Sequence, residues 1–199
     1  MARRSSRSEP ISASTEPAAP RAVVVVLDAL AAPRDPELRA RLGPELDDHL
    51  RHVLRERALA WARRGSDGAE PRQARTASEL EALLAGHDGP VVLVAPDVPG
   101  LSDDHLAAAL DDLDAGVLVT SAPSGDGTPF LVALGRPDPR LLALVGAPFD
   151  EVARTALELG GELGMLRAER RLATVADALA LRADPLAPRE LRDLLAALR

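Results

Sequence analysis

The chain has 199 residues, of which 46% are hydrophobic and 28% charged, the balance of an ordinary soluble globular protein with room for one full-sized core. It contains no cysteine, and all 24 of its basic residues are arginine. Disulfides, thiolate and iron–sulfur chemistry, Schiff-base catalysis and the lysine of an ordinary P-loop are therefore excluded. The formal charge of −7 opposes non-specific nucleic-acid binding, which needs many cationic phosphate contacts, but leaves small anions open to local arginines.

Residues 1–20 carry Arg3, Arg4 and Arg7 and then Pro10, Pro17 and Pro20, with no periodic apolar pattern to bury. They read as a disordered, dispensable tail. A charged start without an apolar stretch behind it does not resemble a secretory signal, and no apolar run approaches the ~20 residues that span a bilayer. With the cysteine-free composition, this points to the cytoplasm.

From residue 21 to 199 the pattern is that of one domain. The run AVVVVL at 22–27 is β-branched, continuous and stopped by Asp28, as expected for a strand buried on both faces of a parallel sheet. Pro36 opens a short helix, Gly43-Pro44 interrupts it, and 45–57 is amphipathic through Leu46, Leu50, Val53 and Leu54. Residues 58–62 fit either a strand or a longer helix, and 65–75 reads as a loop. Thr76 with Glu79 forms a capping-box pattern for a helix ending at Gly86. A second buried strand follows at 91–95, then the turn PDVPG and a helix that Ser102 caps, with Asp103 and Asp104 complementing its dipole. Strands are expected at 117–120, 130–134 and 163–166, and helices at 139–145, 150–159 and from Pro188 onward. This alternation predicts an α/β fold with a mostly parallel sheet and helices on both sides.

In such a sheet ligands sit beyond the carboxyl ends of the strands. Asp28 and Asp97 both follow strands there, where carboxylates suit a hard divalent cation bridging to phosphates; shaping their own turns through side-chain to backbone hydrogen bonds is the alternative. SGDGT at 124–128 is either a glycine-rich anion cradle or an Asp-Gly hairpin turn. Arg34, Arg39 and Arg41 follow the first strand closely enough to pair with phosphate oxygens, or with Asp35, Glu37 and Glu45 as surface salt bridges. His49 and His52 stand three apart on a helix but lack a third ligand at motif spacing. No G-x-S-x-G, H-E-x-x-H or G-x-G-x-x-G occurs.

VVLVAPDVPGL at 91–101, SGDGTPFLVALGRPDP at 124–139 and RARLGPE at 39–45 resemble segments of a bacterial family of GT-A-like nucleotide-dependent transferases. That family includes proteins labelled arsenosugar biosynthesis glycosyltransferase and is related to the 2-phospho-lactate guanylyltransferases. The resemblance implies a single three-layer, Rossmann-like GT-A domain that binds a nucleotide or nucleotide-sugar with Mg²⁺ or Mn²⁺ and transfers a glycosyl or nucleotidyl group to a small acceptor. It places the metal on Asp97, with Asp184 as a second ligand, the cofactor phosphates near Arg39, Arg41 and Asp28, and the acceptor at Asp126. The chain also departs from the family. The glycine-rich first loop is shortened to AAPRDP at 31–36, Arg39 takes the place of a lysine, and Thr128 and Pro129 replace a glycine and an aromatic residue. Of a late acidic motif a single acid survives, Asp177 or Asp184. These losses imply a diverged member, with a catalytically inactive pseudoenzyme that serves as a binding or scaffold module as the alternative. If Asp97 holds a metal, Asp97→Asn is expected to weaken metal-dependent nucleotide binding with little effect on stability.

Overall fold

The computed structural model describes residues 22–66 and 70–198; the tail expected at 1–20 lies outside them. Six strands form one sheet in the order β2-β1-β3-β5-β4-β6. The strands are β1 (Val23–Leu27), β2 (Arg72–Ala74), β3 (Val91–Val94), β4 (Val119–Pro123), β5 (Pro129–Leu134) and β6 (Leu163–Met165). The pairs β1–β2, β1–β3 and β4–β6 are parallel, while β5 runs antiparallel to both β3 and β4. The sheet is mixed and mostly parallel, and the carboxyl ends of five strands and the start of β5 share one edge.

The central strands are apolar on both faces because helices cover both. Val91 to Val94 of β3 and all of β5 are buried, and each such Val or Leu removed from water stabilises the fold by about 1.5–3 kcal/mol before entropy is counted. Helix α2 (Pro44–Gly65) packs on β1, α4 (Asp103–Asp114) on β4 and β5, and α6 (Phe149–Glu158) on β4 and β6. Trp61 shows how α2 and α4 are joined: its ring is buried, and its indole N–H donates to the Ser102 carbonyl at 2.8 Å. The ambiguous stretch 58–62 is thus helix, with Leu59 and Trp61 both turned inward. Between α1 (Pro36–Leu42) and α2, Gly43 adopts φ +82°, a conformation that a side chain would strain.

A second apolar cluster forms away from the sheet. Leu38 of α1 and Leu50, Val53 and Leu54 of α2 meet Ala178 of α7 (Val175–Ala183) and Leu191 and Leu195 of α8 (Arg189–Leu195), with Leu172 and Leu198. Asp35 fastens this unit, accepting from the Glu37 N–H at 2.9 Å as the cap of α1 and from the Val175 N–H at 3.3 Å at the start of α7. The remaining helices are α3 (Ala77–Leu84) and α5 (Pro139–Leu142).

Three expectations are corrected. The loop expected at 65–75 contains β2, whose residues Arg72 and Gln73 are exposed and only Ala74 is buried, so that no apolar alternation marks this edge strand. Of the two acids compared with a late acidic motif, Asp184 follows the end of α7 and Asp177 lies in its first turn, where Thr174 and Asp177 make a capping box: Asp177 Oδ2 accepts from the Thr174 N–H at 3.0 Å and Thr174 Oγ1 from the Asp177 N–H at 3.2 Å. The strand expected at 117–120 begins two residues later, as β4. Among the described residues, no helix is long and apolar enough to cross a membrane.

Candidate functional site

β1 and β3 end side by side, and the chain leaving each carries its acid into one crevice of about 280 Å³, lined by Asp28, Arg34, Asp47, Arg51, Arg55 and Asp97 together with apolar residues of α1 and α2. Asp28 opens a single 3₁₀ turn (Asp28–Leu30) and pairs with Arg55 Nη1 at 3.0 Å. Arg34, in the loop before α1, stands 3.3 Å from buried Asp47 and 3.1 Å from Asp48. Arg51, one turn beyond Asp47 on α2, is 3.6 Å from the same Asp47 carboxylate, too long for a hydrogen bond. Among the described residues, neither the buried Nε of Arg51 nor Oδ2 of Asp47 has a hydrogen-bond partner. Burial first, and Arg34 next, lowers the pKa of Arg51 against the opposing pull of Asp47 and Asp97. The crevice therefore gathers three guanidinium groups, each beside a carboxylate but with the Arg51 Nε–H without a hydrogen bond, so that an anion has a donor to take up there.

Asp97 is held differently. Its Oδ2 accepts from the Ala32 N–H at 2.8 Å, and Arg171 Nη1 lies 3.1 Å from Oδ1 and 3.3 Å from Oδ2. The Arg171 guanidinium also donates to the Leu30 carbonyl at 2.6 Å, to Ser124 Oγ at 3.1 Å and to the Pro129 carbonyl. One side chain thus joins the segments that follow β1, β3 and β4 and the first residue of β5. The chain after β6 brings it there by running along the strand ends: Glu169 N–H donates to the Pro123 carbonyl and Leu172 N–H to the Asp97 carbonyl at 2.9 Å. Arg171 lies in the run RAERR at 167–171, which reads as charged surface, and it stands 74 positions from Asp97. Only the apolar Leu172-Ala173 immediately after it marks the place as interior.

This arrangement does not fit a divalent ion. A metal bound to Asp97 would stand against a fixed guanidinium in a dry site, a like-charge contact that low dielectric makes costly. Among the described residues, no three His, Asp or Glu side chains converge as ligands. The pair with Arg171 changes what is expected of Asp97→Asn: the amide would leave the buried Arg171 cation without its anion, so a loss of stability replaces the tolerance expected from the sequence.

The other expected residues are dispersed. Arg39 and Arg41 lie exposed on α1, Arg41 paired with Glu37 at 2.6 Å, and neither lines the crevice. Asp126 sits in the β4–β5 turn with Gly127 at φ +82°; it accepts from Ser124 Oγ, from the Thr128 N–H at 2.9 Å and from Thr128 Oγ1 at 2.7 Å. Burial pushes its carboxyl up, but these hydrogen bonds outweigh it and hold the pKa below the ordinary carboxylate value. With Arg170, Asp177 and Glu169 it lines a neighbouring depression of about 510 Å³. Asp184 ends α7, accepts from the Leu186 N–H at 2.8 Å and faces another depression, formed with Gly100 and Arg167. His49 and His52 are exposed on α2. His105 is buried in the first turn of α4, where burial, opposed by Glu169, holds its pKa below the imidazole range. Its Nδ1 accepts from the Ser102 N–H at 3.2 Å, completing the cap.

No protein-family model and no curated protein matches this chain. Among solved structures, a Desulfovibrio desulfuricans G20 protein provisionally assigned as a nucleotide-diphospho-sugar transferase superposes with a TM-score of 0.61 at 16% identity, over 88% of this chain and 96% of that one. Weaker likenesses are to Rv0371C of Mycobacterium tuberculosis H37Rv in complex with manganese, at TM-score 0.42 and 15% identity over 81% and 97% of the chains, and to its homologue from Mycobacterium sp. strain JC1, at 0.41 and 15% over 88% and 98%. The six-stranded, mostly parallel sheet flanked by helices is thus the nucleotide-diphospho-sugar transferase fold.

Proposed function

We propose that this domain binds the phosphates of a nucleotide or nucleotide-sugar in the crevice between β1, β3 and α2. The observation that carries the reading is the convergence of Arg34, Arg51 and Arg55 at the carboxyl ends of two adjacent parallel strands, with the buried Nε of Arg51 paired to Asp47 only at 3.6 Å and without a hydrogen-bond partner among the described residues. About 280 Å³ readily accommodates a diphosphate. The fold supports this choice of ligand class, since α/β sheets take nucleotides at this edge. In a glycosyl or nucleotidyl transfer, the three guanidinium groups would balance the charge that builds on a departing nucleoside diphosphate or pyrophosphate. The engagement of Asp97 by Arg171 favours a second reading, a pseudoenzyme that keeps nucleotide binding and has lost metal-dependent transfer.

Calorimetric titration with nucleoside diphosphates and nucleotide-sugars tests the site. Arg51→Gln is expected to weaken binding at least tenfold, equivalent to about 1.4 kcal/mol, while Arg41→Gln on α1 leaves it unchanged. The reverse pattern would return the phosphates to the residues that the family resemblance implies, and no binding by the wild type would remove the reading altogether.

A further inference from the structure

We propose that Arg171 is the resident cation of this site, filling at Asp97 the position that a divalent ion would take, so that phosphate binding in the crevice is independent of metal. Its bearing on phosphate rests on the function proposed above; the assignment of Arg171 stands on geometry alone.

The guanidinium is built in rather than adventitious. Its side chain is 4% exposed and that of Asp97 9%, and it reaches Asp97, Ser124 and the carbonyls of Leu30 and Pro129 at once. A planar fork with five donors can satisfy acceptors arranged around it; a mobile hydrated ion cannot do so without displacing that fork. Charge decides what the exchange does. A divalent ion on one carboxylate leaves one positive charge facing a phosphate, whereas Asp97 with Arg171 leaves none. Across the crevice Arg34, Arg51 and Arg55 present further guanidinium groups, which Asp28, Asp47 and, through its pair with Arg34, Asp48 balance. A phosphate entering the crevice would compete with these carboxylates for guanidinium groups already in place. A magnesium complex of the ligand gains nothing here, because its cation would be repelled by the same arginines.

Two amides report on Asp97 directly, since the Ala32 N–H donates to its carboxylate and the Leu172 N–H to its carbonyl. In wild-type protein followed by NMR, equimolar Mn²⁺ alone is expected to leave both resonances sharp. Inorganic pyrophosphate and nucleoside diphosphates are expected to shift the crevice resonances at least as strongly in EDTA as with Mg²⁺ present. Selective broadening of Ala32 and Leu172 by Mn²⁺ would overturn the assignment, whatever the phosphates do. Phosphate binding that appears only with a divalent ion would overturn it too. Sharp amides with no phosphate binding under either condition would sink the proposed function and leave Arg171 as the cation at Asp97. All these readings use the wild-type chain, so none depends on a variant that folds.

Discussion

Asp28 and Asp97 leave adjacent parallel strands and line the same crevice, yet Asp28 pairs with an arginine whose side chain is 37% exposed, and Asp97 with one that is 4% exposed. The first pair sits in solvent reach, where water competes for both ions and the net worth is about 0–1 kcal/mol. The second has lost its water and depends on its partner and on the surrounding carbonyls. An acid at the end of a buried strand is therefore not yet a ligand: what the rest of the chain lays over it decides whether its lone pairs remain open.

The contrast is broken most severely at Arg171. Arg171→Met should cost about 3–5 kcal/mol in urea unfolding by stranding the Asp97 carboxylate, and Asp97→Asn should cost a comparable amount by stranding the cation. The double variant should recover most of the loss, since an uncharged pair has no ion to desolvate. Single-variant costs below about 1 kcal/mol would show the inner pair to be no different from the outer one. Asp28→Asn is expected to change stability by less than about 1 kcal/mol, with the difference shrinking further as salt is raised; a larger, salt-insensitive loss would mean that Asp28 depends on its arginine no less than Asp97 does.

Asp126, exposed in its turn, gives the smallest effect. Its folded pKa lies below the unfolded value of about 3.9. It therefore contributes stability that is complete above about pH 5 and lost as pH falls through the depressed folded value. Because solvent screens it, the difference between wild type and Asp126→Asn should stay under about 1 kcal/mol and vanish only on the acid side. A difference that persists unchanged at low pH would assign the turn to packing rather than charge.

The strands and most helices were legible because burial on both faces leaves unbroken apolar runs, as at 91–94 and 130–134, and because caps such as Ser102 and Thr76 announce themselves. β2 was not, since an edge strand of three residues with two exposed side chains has no pattern to read. Within the site, Asp28 and Asp97 stand out by their position after strands. Arg51 and Arg55 look like the polar side of an amphipathic helix, and only the packing of α2 against β1 turns them into the crevice. Arg171 was hidden by distance along the chain: only the apolar Leu172-Ala173 that follows it sets it apart from Arg167 and Arg170.

The bond between Asp97 and Arg171 also sets a sequence of events during synthesis. A ribosome delivers β1, β3, β4 and β5 before residue 171, so the nascent sheet reaches near-completion holding an acid whose counter-ion has not been made. Until residue 171 is in place, that acid must keep its hydration water, and the edge where a ligand would enter cannot dry. The late arginine thus works as a closing stitch: the same contact that neutralises Asp97 ties together the segments beyond β1, β3 and β4 with the start of β5.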